Sequence, residues 1–268
     1  MKNQVVIITG ASSGIGKALA FEFGRQGALV IITGRNQTNL NAAAEELQAA
    51  NIRHHAIVCD SSSEEQTRTM IQEVVSKFGR IDLLINNAGI SMRSMFETVN
   101  LQVLKQVMDI NFWGTVYATH AALPHLKKSK GGIIGISSIA GYRGLPVRTG
   151  YSASKFAMNG FFEALRTELI GTGIHVLTAC PGFTASNIRN TSLTADGSIA
   201  GETMRAEEKM MTAEEVALEI RKAYHAKKKT LVLTFQGKLT VFLNKWLNSF
   251  MDNLVYNTLK KEKDSPLK

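Results

Sequence analysis

Residues 5–16, which read VVIITGASSGIG, decide the fold of this chain. An apolar run leads into a glycine-rich turn, and a helical pattern follows at once. Strand, glycine turn and helix in this order begin a dinucleotide-binding βαβ unit. The glycine spacing departs from G-x-G-x-x-G, yet it still lets the backbone approach a pyrophosphate at a helix N-terminus, where free N–H groups favour anions. The predicted phosphate-binding residues are Gly10, Ser12, Ser13, Gly14, Ile15 and Gly16.

Short apolar runs and longer helical patterns alternate along the rest of the chain, and this alternation predicts parallel strands joined by crossover helices. The predicted strands are residues 5–9, 29–33, 55–59, 82–86, 132–137, 175–179 and 230–234. The predicted helices are residues 17–26, 39–50, 64–78, 101–120, 151–169 and 213–225.

The fold class that follows is α/β, a doubly wound seven-stranded parallel Rossmann sheet with helices on both faces. A chain of 268 residues with 44% hydrophobic content can hold such a sheet in one domain. We assign residues 1–235 to the dinucleotide-binding and catalytic domain. Residues 236–268 form a C-terminal amphipathic helical extension of the same domain.

Tyr151 and Lys155 lie four residues apart, so a helix places both side chains on one face. A phenol with a pKa of ~10 transfers protons poorly at neutral pH, and a neighbouring ammonium is expected to lower that pKa. Ser138 follows a predicted strand, and its hydroxyl can donate a hydrogen bond to a substrate oxygen. The alternative is an ordinary helix tyrosine beside a solvated lysine. Together with the glycine turn, the three residues favour redox chemistry on a carbonyl or an alcohol, with Tyr151 as general acid/base.

Arg35 follows the second predicted strand, nineteen residues after Gly16. An acidic residue near this position would bind the ribose 2′-hydroxyl of NAD, whereas an arginine suits the 2′-phosphate of NADP. Gly34 and Arg35 therefore favour NADP(H) as the cofactor. The alternative is that Arg35 is only solvated.

The ordered motifs resemble those of the short-chain dehydrogenases/reductases over residues 4–235. The resemblance rests on TGASSGIG at residues 9–16, NNAG at 86–89, INF at 110–112, PG at 181–182, and Ser138, Tyr151 and Lys155. It implies that Asn111, Ser138, Tyr151 and Lys155 are catalytic, that Lys155 also holds the nicotinamide ribose, and that Asn111 maintains a water relay. It also implies cofactor contacts at Asp60, Asn87, Ala88, Gly89, Pro181, Gly182 and Thr184.

The substrate pocket is less legible. Segments 89–96, 141–148 and 183–211 are the candidates, and from them we select Tyr142, Leu145 and Phe183 as substrate residues. Ser138 is a further substrate residue, because its hydroxyl can bind the substrate oxygen. Methionines in these segments, Met204 among them, suggest an adaptable apolar pocket, although core packing explains them equally well. The segment 183–211 is long enough to act as a lid.

Several classes of site have little support. Cys59 and Cys180 are too few for a disulfide framework and read as buried small residues, and the six histidines lack zinc-ligand spacing, so no metal is expected. The first residues lead straight into a strand, and the chain lacks a long apolar span, so we expect a cytoplasmic protein.

The C-terminal segment carries an apolar stripe at helical spacing: Leu239, Phe242, Leu243, Trp246, Leu247, Phe250 and Leu254. Lys260, Lys261 and Lys263 follow it, and residues 221–268 hold eleven Lys and Arg against three acids. No recognition motif accompanies this charge, so nucleic acid is not expected as a partner. Docking on the protein's own or a partner subunit, and peripheral contact with a membrane, are the two alternatives.

These patterns predict an NADP(H)-dependent oxidoreductase that acts on a hydrophobic, lipid-like or steroid-like ketone, in a homo-oligomer by resemblance. One alternative is a 3-oxoacyl-carrier-protein reductase. An alternative of another class is a non-catalytic NADP-binding sensor or scaffold.

Overall fold

The computed structural model describes residues 1–185, 188, 191–201, 210–262 and 265–267. Met204 and Lys263, which figured in the sequence predictions, lie outside the described residues.

A seven-stranded parallel sheet forms the centre of the molecule, in the order β3-β2-β1-β4-β5-β6-β9. Its strands are β1 (Val5–Ile8), β2 (Leu29–Gly34), β3 (His54–Val58), β4 (Leu83–Asn86), β5 (Gly132–Ile136), β6 (His175–Cys180) and β9 (Thr230–Val232). A separate parallel pair joins β7 (Thr184–Ala185) to β8 (Met211–Thr212). The predicted α/β fold class and all seven predicted strands are confirmed, with small shifts at their ends.

Helices cover both faces of this sheet. They are α1 (Gly14–Gly24), α2 (Gln37–Ala49), α3 (Glu64–Phe78), α4 (Leu101–Met108), α5 (Gly114–Ser129), α6 (Thr149–Glu168), α7 (Ala213–His225), α8 (Phe235–Trp246) and α9 (Asn248–Lys260). The central strands are buried on both sides because one apolar cluster packs under α1, α2 and α7, and a second packs under α3, α5 and α6. A capping box formed by Thr212 and Glu215 begins α7 and satisfies two backbone N–H groups.

Two predicted helices differ from the structure. The predicted helix 101–120 is interrupted by a π-helical turn at Asp109–Trp113, which joins α4 to α5. The predicted C-terminal helix is two helices, because Leu247 leaves helical geometry with φ −128° and ψ 53°. In the described part of the chain, no helix combines the length and the apolar character needed to cross a bilayer.

The connection after β6 is described in part, and at Leu193 it is attached to the body of the protein. Residues 186–187, 189–190 and 202–209 of the predicted lid lie outside the described residues. Leu193 is buried with Met92, Val99, Val103 and Val107, and its backbone bonds both Ser91 and Arg93. This anchor divides the segment that the sequence predicted as a lid. Met92, a candidate pocket residue, therefore belongs to the core.

Candidate functional site

A cavity of about 740 Å³ lies at the carboxyl ends of the central strands. Open parallel sheets bind ligands at this edge, where the strand order reverses. The cavity runs from the turn after β2 to the C-terminal helices. The predicted cofactor residues that line it are Gly10, Ser12, Ser13, Gly14, Ile15, Arg35, Asp60, Asn87, Ala88, Gly89, Tyr151, Lys155, Pro181, Gly182 and Thr184.

The conformation of the glycine turn requires that Gly10 and Gly16 have no side chains. Gly10 has φ +62°, and a Cβ atom there would lie 2.7 Å from the Ala88 Cα. A Cβ atom on Gly16, which packs behind the turn, would lie 2.4 Å from both the Asn87 Nδ2 and the Gly10 carbonyl oxygen. Asn87 holds this turn in place, because its Nδ2 donates to the carbonyls of Thr9 and Gly10 at 2.9 and 2.8 Å.

The N-terminus of α1 opens onto the same turn. The first turn of α1 contains no acidic residue, and its N-cap, Ser13, forms no side-chain capping bond with the helix. The N–H groups of this turn and the positive end of the helix dipole therefore suit a phosphate group. The glycine cradle and this helix end fit the pyrophosphate of a dinucleotide.

Donor groups surround the far end of the cavity, beyond β2. Arg35, Asn36, Asn39 and Ser12 line it, and Arg35 is exposed. Asp60, at the end of β3, has one carboxylate oxygen occupied by the backbone N–H and hydroxyl of Ser62 at 2.9 and 2.7 Å.

Ser138 and Tyr151 meet at the opposite side of the glycine turn. The Tyr151 hydroxyl lies close enough to the Ser138 side chain to interact with it, and both residues line the cavity. Ser138 is held at the end of β5, since its Oγ accepts the Ala140 N–H at 3.1 Å and contacts the Pro181 carbonyl at 3.5 Å.

Lys155 is buried beside Tyr151, on the same face of α6. Its Nζ donates to the Ile136 carbonyl at 2.8 Å and lies 5.7 Å from the centre of the Tyr151 ring. A Cβ atom on Gly89 would lie 3.6 Å from this ammonium, so the absence of a side chain there keeps Lys155 accessible to the cavity.

Burial dominates the protonation of both residues. It raises the pKa of Tyr151, while the Ser138 hydrogen bond and the positive charge of Arg148 act in the opposite direction. Burial also lowers the pKa of Lys155, to about 8. The prediction that Lys155 lowers the Tyr151 pKa is wrong for this structure. Desolvation of the phenolate is the largest cause and raises the pKa, and the favourable charge comes from Arg148.

Asn111 lies outside the cavity wall, inside the π-helical turn. Its Oδ1 accepts the Ile90 N–H at 2.8 Å, and its Nδ2 donates to the Ile90 carbonyl at 3.0 Å and to Ser154 Oγ at 2.9 Å. The side chain thereby fixes the segment after Gly89 against α6. Its catalytic role stays a prediction.

The substrate residues predicted from sequence divide into two groups. Ser138, Leu145 and Phe183 line the cavity. The structure places Tyr142 outside the cavity wall. Burial, as the largest cause, raises the pKa of Tyr142 to about 12, and the neighbouring Cys180 thiol acts in the same direction. Cys59 and Cys180 are buried free thiols, as predicted.

The C-terminal helices supply a wall that the sequence analysis did not assign to the cavity. Thr240 of α8 and Met251, Val255 and Leu259 of α9 line it, and Met251 and Leu259 are buried. Met251, Val255 and Leu259 are spaced four residues apart and form an inward-facing stripe on α9. The sequence analysis did not identify this stripe because the aromatic stripe of the same segment is more prominent. Arg143 and Arg148, also cavity residues, were missed because no motif marks them. The described residues contain no cluster of His, Cys, Asp or Glu that could hold a metal ion.

The family model for the short chain dehydrogenases matches residues 4–196. The chain belongs to the short-chain dehydrogenase/reductase family. A relative that aligns over nearly the whole chain supports this membership. "Dehydrogenase/reductase SDR family member 7B" of Mus musculus is 34% identical over 271 aligned positions, which cover 99% of this chain and 84% of that protein.

Other relatives of this short-chain dehydrogenase/reductase match a part of their own length. "11-beta-hydroxysteroid dehydrogenase-like 4A" of Arabidopsis thaliana is 41% identical over 198 residues, which cover 73% of this chain and 66% of that protein. "11-beta-hydroxysteroid dehydrogenase 1A" of the same organism is also 41% identical, over 69% of this chain and 53% of that protein. The chain thus spans between half and two thirds of these relatives.

Solved structures of short-chain dehydrogenases/reductases share the fold. A member from Burkholderia phymatum in complex with NAD superposes with a TM-score of 0.84 at 21% identity, over 93% of this chain and 95% of that chain. An alcohol dehydrogenase from the archaeon Thermococcus sibiricus, complexed with 5-hydroxy-NADP, has a TM-score of 0.76 at 23% identity, over 87% and 96%. The chain therefore has the Rossmann fold of this family, whose members use nicotinamide cofactors.

Proposed function

We propose that the protein is an NADP(H)-dependent reductase of a hydrophobic ketone, with Tyr151 as the proton donor. The observation that carries this proposal is the placement of Ser138, Tyr151 and the buried Lys155 ammonium together in a cavity that begins at the glycine cradle.

The residues divide the work as follows. When bound, the cofactor supplies or accepts the hydride. Ser138 orients the substrate oxygen, and Tyr151 gives it a proton as negative charge develops. Lys155 holds the nicotinamide ribose and places a positive charge near the phenol. Asn111 positions the Ile90 backbone and α6 around this group.

The donors beyond β2 support NADP(H). Arg35, Asn36, Asn39 and Ser12 suit a 2′-phosphate, whereas binding of a ribose 2′-hydroxyl is favoured by an acidic acceptor after this strand. Chain positions 34–39, which follow or end β2, contain no acidic residue.

The apolar wall supports a lipid-like or steroid-like substrate. Leu145, Phe183, Met211, Met251 and Leu259 enclose the cavity beyond Tyr151, and the names of several relatives refer to hydroxysteroid substrates. Methionines adapt to ligands of irregular shape because their side chains are unbranched and flexible.

A screen of NADPH oxidation tests the activity. Ketones of graded chain length, a steroid ketone and a 3-oxoacyl carrier protein are compared at equal concentration. We expect kcat/KM to rise with chain length by roughly fourfold per buried methylene, from ~0.8 kcal/mol each, until the apolar wall is filled. Preference for the carrier-bound substrate would favour the 3-oxoacyl-carrier-protein reductase. Cofactor binding without turnover of any carbonyl would favour a sensor or scaffold instead.

Exposed aromatic side chains on α5, α6 and the preceding π turn support a homo-oligomer. Trp113 is 44% exposed and stacks on Tyr117, and Phe156 is 46% exposed on the neighbouring helix. Apolar groups of this size are commonly covered by a second subunit.

The outer face of the C-terminal helices supports peripheral contact of a cytoplasmic protein with a membrane. Phe235, Phe242, Trp246 and Phe250 are 56–83% exposed, and Lys245 and Lys260 lie near them in sequence. None of these four aromatic side chains lines the cavity. Apolar rings bordered by lysines suit a surface of anionic lipid.

Replacing Phe242, Trp246 and Phe250 together with serine tests this contact. We expect sedimentation with phosphatidylserine-containing liposomes to fall at least ~10-fold, because each ring contributes ~1.5–3 kcal/mol when buried. Reduction of a short soluble ketone should continue, since none of the three lines the cavity. The matched control replaces Leu101, also exposed but on α4, with serine. If neither the parent chain nor the control binds liposomes, this face is assigned to contact with a partner subunit.

A further inference from the structure

Two guanidinium groups line the substrate end of the cavity. Arg143 and Arg148 lie eight and three residues before Tyr151, and their side chains are only 14% and 11% exposed. Among the described residues, the one acid that lines the cavity is Asp60. It follows β3, the strand at the edge of the sheet, and so lies away from Tyr151. The cavity wall near Tyr151 consequently carries positive charge among apolar side chains.

Side chains of the C-terminal segment that do not line the cavity bind both guanidinium groups. Arg148 Nη2 donates to Glu262 Oε2 at 3.2 Å, and the Glu262 side chain is only 3% exposed. Arg143 Nη1 donates to Asn244 Oδ1 at 3.0 Å, and its Nη2 pairs with Asp252. Neither acid lines the cavity. These contacts orient each planar group while using only some of its donors.

Each guanidinium also has a buried donor that is left over. Arg148 Nη1 and Arg143 Nε have no hydrogen-bond partner among the described residues. Both atoms are shielded from solvent, so an oxyanion in the cavity reaches them only after the arginine side chains turn towards it. A buried charged donor without an acceptor is unfavourable, and carboxylate or phosphate oxygens are the acceptors that guanidinium groups bind best. The apolar residues Leu145, Met251 and Leu259 line the same cavity.

We propose that Arg148, together with Arg143, binds an oxyanion carried by the substrate, either a carboxylate or a phosphate ester. The substrate is then an apolar ketone with an anionic group rather than a neutral steroid or alkanone. This assignment rests on the proposed reduction of a hydrophobic ketone at Tyr151, and it adds the feature that selects among such ketones.

Binding of three probes to the full chain with NADP⁺ tests the proposal without requiring turnover. The probes are decanol, decanoate and decyl phosphate, each titrated calorimetrically below its critical micelle concentration. We expect at least one anion to bind ~10-fold or more tightly than decanol, as charge-assisted hydrogen bonds allow. The tighter anion identifies the carboxylate or the phosphate ester. Equal affinity for all three probes would overturn the proposal.

A double variant locates the effect. Arg148→Gln with Glu262→Gln removes both charges of the buried pair, so no carboxylate is left unpaired, and we expect the anion-to-decanol affinity ratio to fall at least ~10-fold. Arg68→Gln, at an exposed position on α3, should keep the ratio. An unchanged ratio in the double variant contradicts the proposal. If circular dichroism shows that variant to be unfolded, Arg148→Lys replaces it, and a retained ratio then counts against a planar guanidinium contact.

The outcome is separable from that of the ketone screen. Anion binding that depends on Arg148 in a protein without ketone turnover would refute the proposed activity and keep the oxyanion subsite. Turnover of neutral ketones without preferential anion binding would support the proposed activity and refute the oxyanion subsite.

Discussion

Changing Tyr151 to Phe is expected to lower kcat for ketone reduction at least ~10²-fold, the usual contribution of a positioned general acid. The ring and its packing remain, but the hydroxyl that Ser138 contacts is lost. The dissociation constant for NADPH should change little, because this substitution leaves the glycine cradle and Lys155 intact. Stopped-flow measurement of NADPH oxidation, with fluorescence titration of NADPH, separates the two effects.

Tyr142→Phe provides the matched control. The change is identical and lies nine residues upstream, but the Tyr142 hydroxyl contacts Cys180 rather than the cavity. Its kcat should stay within about threefold of the parent value. A loss comparable to that of Tyr151→Phe would restore the substrate role that the sequence assigned to Tyr142, whereas full activity of Tyr151→Phe would remove Tyr151 from the mechanism.

The pH dependence should follow the direction of the Tyr151 pKa. Because burial raises that pKa, the phenol remains protonated at neutral pH, and the protein is ready to donate a proton in reduction. Oxidation of the alcohol needs the phenolate, so its rate should increase as the pH rises above neutrality. The Tyr151→Phe variant should lack this increase.

Changing Arg35 to Ala should remove most of the preference for NADPH over NADH. A charge-assisted contact between a guanidinium and a phosphate contributes ~1.5–3 kcal/mol, which corresponds to roughly ten- to a hundredfold in affinity. The parent enzyme should show this preference in kcat/KM, and the variant should use both cofactors within a fewfold of each other. Affinity for NADH itself should change little.

Arg25→Ala is the control for this substitution. Arg25 is exposed at the opposite end of α1 and does not line the cavity. It should keep the NADPH preference at moderate ionic strength, where charges this far apart are screened. Equal use of both cofactors by the parent enzyme would show that Arg35 is a bystander, and a loss in both variants would point to a general charge effect.

The order of the strands along the chain, the glycine-rich turn and the residues proposed as catalytic could all be predicted from the sequence. Each depends on local chemistry: apolar runs form buried strands, glycines permit the turn at Gly10, and four-residue spacing joins Tyr151 to Lys155 on α6. These features can be predicted from the sequence because the residues that form each of them are close together along the chain.

Which side chains enclose the cavity depends on contacts between distant parts of the chain. Arg148 and Glu262 are more than a hundred residues apart, so no local pattern could pair them. Nor could spacing reveal that Tyr142 points to Cys180, or that α9 turns Met251 towards the cavity after the break at Leu247. The same holds for the Tyr151 pKa: spacing predicted the effect of the neighbouring ammonium, but desolvation depends on everything packed around the phenol, and burial determined the direction.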